Sequence, residues 1–146
     1  KNVEPYLIFD GNCEEAFIHY KKAFGGEFLS VIRYGDTPGR EDLPYLSDVE
    51  KTKIENISLP INENTFLMGA DGLSSLGMKP IIGNNFIIYF EADNKGQADK
   101  IFNILSEDGI IKMPMTIAHW GDYFGMCTDK FGVNWSINCS AKKENL

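Results

Sequence analysis

Histidine is scarce in this chain, with 2 among 146 residues, and proline and cysteine number only 6 and 3. Cys13, Cys127 and Cys139 are an odd set at unrelated spacings, which excludes a disulfide framework and a CxxC metal knuckle and leaves reduced, buried thiols as the expectation. No apolar run approaches the ~18 residues that span a bilayer. Lys1-Asn2-Val3-Glu4-Pro5 has no signal-peptide core, so a soluble, cytoplasmic protein with no membrane partner is expected. Basic residues are outnumbered, 14 against 21 acidic, for a net charge of −7, and no stretch gathers Lys and Arg to neutralise successive phosphates. Nucleic acid is therefore excluded as a partner, and the negative field serves solubility first. GxxxxGK[ST], HExxH and GxSxG are absent, which removes three common enzyme classes.

What remains is an ordinary globular balance, 43% hydrophobic and 24% charged. A chain of this size buries enough surface to fold without disulfides or a structural metal, so stability demands no cofactor. Pro5 to Phe9 reads as a strand stopped by Asp10-Gly11. Cys13, Ala16, Phe17, Tyr20 and Phe24 then recur on one helical face, with Asn12 as N-cap, Glu15 completing a capping box and Gly25-Gly26 as the stop. Glu27 to Tyr34 alternates as a strand, residues 35–51 form a long polar loop, and Ile54 to Ile61 pairs with Thr65 to Ala70 as a hairpin. Pro60 suggests an edge or a bulge there.

The second half repeats this order. A strand from Phe86 to Phe90 is followed by a helix capped by Asn94, with Ala98, Ile101, Phe102 and Leu105 on its apolar face. Three strands follow, Ile110 to Met115, Tyr123 to Thr128 and Val133 to Cys139. The first strands start 81 positions apart, at Pro5 and Phe86, and the helix caps 82 apart, at Asn12 and Asn94. The chain thus reads as an α+β fold of two βαβββ modules, 4–70 and 84–140, joined by a linker, 71–83, within one domain.

The paired modules, Gly11-Asn12-Cys13-Glu14-Glu15-Ala16, Trp120-Gly121-Asp122 and Asp129-Lys130-Phe131-Gly132-Val133-Asn134-Trp135 carry a resemblance. In order and spacing the chain resembles the PhnB-like branch of the glyoxalase and bleomycin-resistance group, in the vicinal oxygen chelate superfamily. The resemblance implies curved sheets forming an open barrel-like cavity, a homodimer and, in enzymatic members, one divalent metal held by His, Glu or another oxygen donor. Here Pro5 to Phe9 and Phe86 to Phe90 hold no such ligand, and the last strand offers Trp135, Ser136, Ile137 and Asn138. Many relatives read His-Ala-Glu on the third strand where this chain has Asn56-Ile57-Ser58. Neutral amides and hydroxyls bind divalent transition metals poorly, so no metal ligand and no catalytic residue is assigned.

The ligand-facing candidates are Tyr34, Asn56, Ser58, Trp120, Phe124 and Trp135. Asn56 and Ser58 lie opposite Ile57 and Leu59 on their strand, facing a cavity or solvent, and would orient a ligand by hydrogen bonds or serve a structural hydrogen-bonding role. The aromatic residues, with Tyr89, have core packing as their first reading and a stacking wall as their second. Arg33 fits an anionic ligand group or, more simply, a surface salt bridge. His119 with Asp122 is a possible acid–base pair or a surface turn, whereas His19 lies off the apolar helix face and is expected in solvent. The loop 35–51, with Asp36, Arg40, Glu41, Asp42 and Pro44, reads as a lid or a dimer-exchanged segment, with plain disorder as the competing reading. The leading reading is a metal-free homodimer binding a small organic molecule. The alternative is a metal-dependent lyase, isomerase or dioxygenase using Glu4, Glu55, Glu91 or His119.

Overall fold

The computed structural model describes residues 1–37 and 46–144; the Arg40, Glu41, Asp42 and Pro44 part of the long loop lies outside them. The chain forms two compact units, Lys1–Ile81 and Ile82–Leu146.

The first unit contains β1 (Tyr6–Phe9), α1 (Cys13–Phe24), β2 (Ser30–Arg33), α2 (Asp48–Lys51), β3 (Ile54–Pro60) and β4 (Phe66–Asp71). Its sheet has the order β1-β4-β3-β2 and does not close on itself. β1 runs parallel to β4, and the remaining pairs are antiparallel. Side chains alternate across the sheet, so Leu7, Phe9, Ile57, Leu59 and Leu67 turn one way and are buried. α1 covers that face with Cys13, Ala16, Phe17 and Tyr20, all fully buried. Each large apolar side chain sealed there contributes about 1.5–3 kcal/mol. Gly69 sits directly beneath the Phe17 ring, which a Cβ at that position would strike.

α1 is stopped as expected, Gly25 adopting φ 80° while its N–H returns to Lys21 O at 2.7 Å. Its start is different. Asn12 makes no side-chain cap; the Cys13 N–H donates instead to Asp71 Oδ1 at 2.9 Å, from the end of β4. The other Asp71 oxygen accepts Ile54 N–H at 2.9 Å, and the Asp71 carbonyl accepts the Tyr34 hydroxyl at 2.7 Å. One buried carboxylate therefore ties the helix to two strands. The stretch read as a linker begins inside this arrangement, since Asp71 ends β4 and Leu73 packs with Tyr34 and Leu46. Pro60 closes β3 opposite Phe66, two residues beyond Ser58, the last position paired with β2, so β3 is interior as a strand while the proline itself sits where the β2 side is unpaired.

The second unit holds β5 (Ile88–Glu91), α3 (Lys95–Ser106), β6 (Ile110–Ile117), β7 (Tyr123–Thr128), β8 (Asn134–Cys139) and α4 (Ala141–Glu144). Its sheet order, β5-β8-β7-β6, reproduces the first, with β5 parallel to β8. Asn94 caps α3, its Oδ1 accepting Gln97 N–H at 2.8 Å, and Gln97 Oε1 in turn accepts Asp93 N–H at 2.7 Å. Ala98, Ile101, Phe102 and Leu105 cover Trp135, Ile137 and Cys139. β6 is an edge strand and its pairing slips on either side of Met113, which accommodates Pro114. At the β7–β8 turn, Asp129 Oδ1 accepts Phe131 and Val133 N–H, and Oδ2 accepts the Trp135 indole N–H at 2.9 Å.

Candidate functional site

α1 and α3 each cover one side of a sheet, and the candidates Asn56, Ser58 and Phe124 lie on the opposite, open side. In the first unit that side carries Tyr6, Ile8, Ser30, Asn56, Ser58, Met68 and Ala70 by alternation and register. Ser30 Oγ donates to Asn56 Oδ1 at 3.2 Å, and Asn56 Nδ2 donates to the Tyr6 hydroxyl oxygen at 3.1 Å. Ser58, only 6% exposed, lies beside this chain, and its hydroxyl has no partner among the described residues. The sequence placed Asn56 and Ser58 on one face, and they share it.

The open side of the second unit carries Tyr89, Glu91, Phe124, Met126, Ser136 and Asn138. Asn138 Nδ2 donates to Glu91 Oε1 at 3.0 Å and to Asp122 Oδ2 at 3.1 Å. The Tyr89 hydroxyl donates to the same Glu91 oxygen at 2.7 Å, and Ser140 N–H to the other at 2.9 Å. Burial and then the Glu91 carboxylate push the Tyr89 phenol up to about 12. The Ala141 N–H first, then the Asn138 amide and the Trp120 indole, hold Asp122 below the usual carboxylate range. Beside them the Trp120 ring, half exposed, meets the Phe124 ring edge-on at 5.2 Å, and His119 meets Trp120 at 4.9 Å.

Of the six candidates, Asn56 and Ser58 are together on one open face, and Trp120 and Phe124 are in contact on the other. Tyr34 and Trp135 take their first reading, as core. The β2–β3 pairing slips between Ile32 and Arg33, the chain turns, and Tyr34 enters the interior in a short 3-10 turn with its hydroxyl on Asp71. Trp135 is sealed beneath α3 with its indole spent on Asp129. Arg33 forms the salt bridge, its guanidinium donating to both Glu14 oxygens at 3.1 and 2.6 Å and so depressing that carboxyl. His19 is buried rather than solvated, because Ala16 and Ala23, one turn to either side, widen the buried stripe. A cavity of about 400 Å³ at the head of α1, bordered by Asn12, Glu14, Arg33, Lys53 and Asp71, contains none of the six.

Glu91 and Asn138 were under-read in the sequence. The fifth strand runs one residue further than its apolar content suggests, which places Glu91 beside Asn138; the Tyr89 and Glu91 alternation was the available signal. The residues do not fit a divalent metal. Among the described residues no three His, Cys, Asp or Glu side chains converge. Where Glu91 and Asp122 approach each other, an amide NH₂ points at both, and a cation there would face donor hydrogens. Glu4 accepts Phe66 N–H and Glu55 accepts the Thr37 hydroxyl, each in a separate structural role. Among the described residues no hydrogen bond joins His119 to Asp122.

Residues 1–138 match the family model described as 3-demethylubiquinone-9 3-methyltransferase. Protein YjdN of Escherichia coli (strain K12) is 30% identical over 141 residues, covering 93% of each chain. The crystal structure of protein PA1353 from Pseudomonas aeruginosa superposes with a TM-score of 0.81 at 35% identity, covering 96% of this chain and 98% of the other. A putative 3-demethylubiquinone-9 3-methyltransferase, PhnB protein, from Bacillus cereus shares the fold, with a TM-score of 0.69 at 23% identity over 96% and 100% of the chains. Solved glyoxalase/bleomycin-resistance and fosfomycin-resistance proteins share it too.

Proposed function

Because the chain belongs to the 3-demethylubiquinone-9 3-methyltransferase family, with the fold of the glyoxalase and bleomycin-resistance group, we propose that it binds a small organic molecule without a metal, as a homodimer. The observation that carries this reading is the chemistry of the open sheet faces. They hold buried polar groups still able to bond, Ser58 and Ser136, among apolar and aromatic side chains, and among the described residues no set of metal donors converges. Such a face binds through apolar burial and a few oriented hydrogen bonds. The family description names methyl transfer, yet Gly25-Gly26 follows a helix, and no strand leads through a glycine-rich turn into a helix as an adenosyl-binding turn requires among the described residues.

The test is native mass spectrometry of purified protein for mass and bound ions, followed by thermal shift across a panel of small organic molecules, S-adenosylmethionine included, with and without chelator. The expected result is a dimer mass and stabilisation by panel members that chelator leaves unchanged. A stoichiometric divalent ion whose removal abolishes every shift would overturn the reading.

A further inference from the structure

The Asn138 side chain is 3% exposed, and both hydrogens of its amide are committed, one to Glu91 Oε1 at 3.0 Å and one to Asp122 Oδ2 at 3.1 Å. Ionised carboxylates only accept, so the amide has one chemically consistent orientation, nitrogen toward the two acids and Oδ1 away from them. Oδ1 accepts from no described residue, and it is not among the side-chain atoms sealed from the surface without a partner. It therefore reaches the surface as an acceptor, and the two anions polarising its amide strengthen it. Ser136, two residues earlier on the same face and 6% exposed, has a hydroxyl in the same condition. Phe124 is the cross-strand neighbour of Asn138, and Trp120 extends that wall.

Resting on the small-molecule reading above, we infer that this face takes a planar aromatic compound bearing an N–H donor, neutral or protonated, and refuses anions. The ring lies against Trp120 and Phe124 while its N–H donates to Asn138 Oδ1, and the Ser136 hydroxyl serves a second polar atom of the ligand. Glu91 and Asp122 act as positioning residues: they hold the amide in the orientation that selects a donor, and their charge opposes a ligand carboxylate or phosphate.

The probes are benzimidazole, 1-methylbenzimidazole, which lacks the N–H, and benzimidazole-5-carboxylate, titrated into ¹⁵N-labelled full chain at neutral pH while the Asn138 side-chain amide signals are followed. Benzimidazole is expected to bind and shift those signals, with N-methylation weakening it by up to about tenfold, the worth of one net hydrogen bond, and the carboxylate weaker still. Asn138→Ala brings the affinity ratio of benzimidazole to its N-methyl form close to one. Should that variant fail to fold, Ser136→Ala lowers benzimidazole affinity severalfold, and Trp120→Ala weakens all three probes without altering their ratio. Equal binding of the N-methyl compound, or tightest binding of the carboxylate, would overturn the inference while leaving small-molecule binding intact. Silence from all three alongside stabilisation by other members of the thermal-shift panel would overturn the inference alone, and silence from the whole panel would overturn both.

Discussion

Replacing Asp71 with alanine is the most direct assault on the first unit. The side chain is 1% exposed and satisfies two backbone donors, Cys13 N–H and Ile54 N–H, each at 2.9 Å. A buried donor stripped of its acceptor costs about 1–3 kcal/mol, so the pair costs about 2–6 kcal/mol. Asp71 borders the cavity of about 400 Å³ at the head of α1, and water entering from there brings the value toward about 2–4 kcal/mol. Against a typical stability of about 5–15 kcal/mol this is a large fraction. Urea unfolding followed by far-ultraviolet circular dichroism measures the loss, and amide hydrogen exchange locates it. The two tryptophans, Trp120 and Trp135, belong to the second unit, so their fluorescence serves as the contrast signal. Cys13 and Ile54 amides should lose protection beyond the global change. A cost under about 1 kcal/mol with both amides still protected would refute the capping role. Asp71→Asn keeps one acceptor oxygen and turns a donor toward the other amide, so it rescues only part of the loss.

Gly69→Ala should cost about 1–3 kcal/mol in urea unfolding, since its Cβ would strike the Phe17 ring with Cys13 Sγ 3.1 Å away; a neutral result would contradict the close seating of α1 on the sheet. Cys13, Cys127 and Cys139 are all buried, and burial pushes the Cys13 thiol up and the Cys127 thiol up to about 12, so native protein should resist a thiol reagent at mildly alkaline pH and release three equivalents in urea. One fast equivalent from folded protein would be the contrary outcome. Asp122 has its folded pKa below the ordinary value of 3.8, so its contribution is complete above that value and is lost as pH falls through the depressed one. Melting temperatures of wild type and Asp122→Asn should therefore converge on acidification from about pH 5 to about pH 2, and parallel curves would remove the linkage.

The sequence made the architecture readable because its signals are local. Alternation in β3 and β8, the 3.6-residue stripes of α1 and α3, and the caps at Asn94 and Gly25 each act within a few residues. The misread positions are those decided by distant partners. Asn12 looked like the cap of α1, but an acid 58 positions away from Cys13 reaches the first helical N–H. Tyr34 continued an alternation that a bulge at Ile32/Arg33 had broken. His19 is polar in isolation, yet it lies on the buried stripe that Ala16 and Ala23 share. On the open faces, Asn56 and Ser58 were found by period two alone, whereas Asn138 needed Glu91 and Asp122, from elsewhere in the chain, to acquire an orientation.

Register pairs the two modules position by position and explains why those open faces differ. Tyr6 pairs with Met68 as Tyr89 does with Ser136, and Ile8 pairs with Ala70 as Glu91 does with Asn138. The neighbouring antiparallel pairs exchange chemistry, Ser58–Met68 against Met126–Ser136. On the helix-covered sides, under the demand of close packing, the equivalent positions are mostly apolar or small, Leu7 and Gly69 matching Phe90 and Ile137, with Asp71 at the end of β4 the charged exception, held there by the Cys13 and Ile54 N–H groups. The open sides carry no such demand, and there the first module holds a neutral Ser30–Asn56–Tyr6 chain while the second holds an amide gripped by two acids. Polar divergence concentrated on the side that does not hold the fold together is the distribution expected if those faces are where recognition occurs. Grafting Ile8 and Ala70 chemistry onto the second module, as Glu91→Ile with Asn138→Ala, should then abolish its selection for an N–H donor while leaving the helix-side core, read by Trp135 fluorescence, undisturbed.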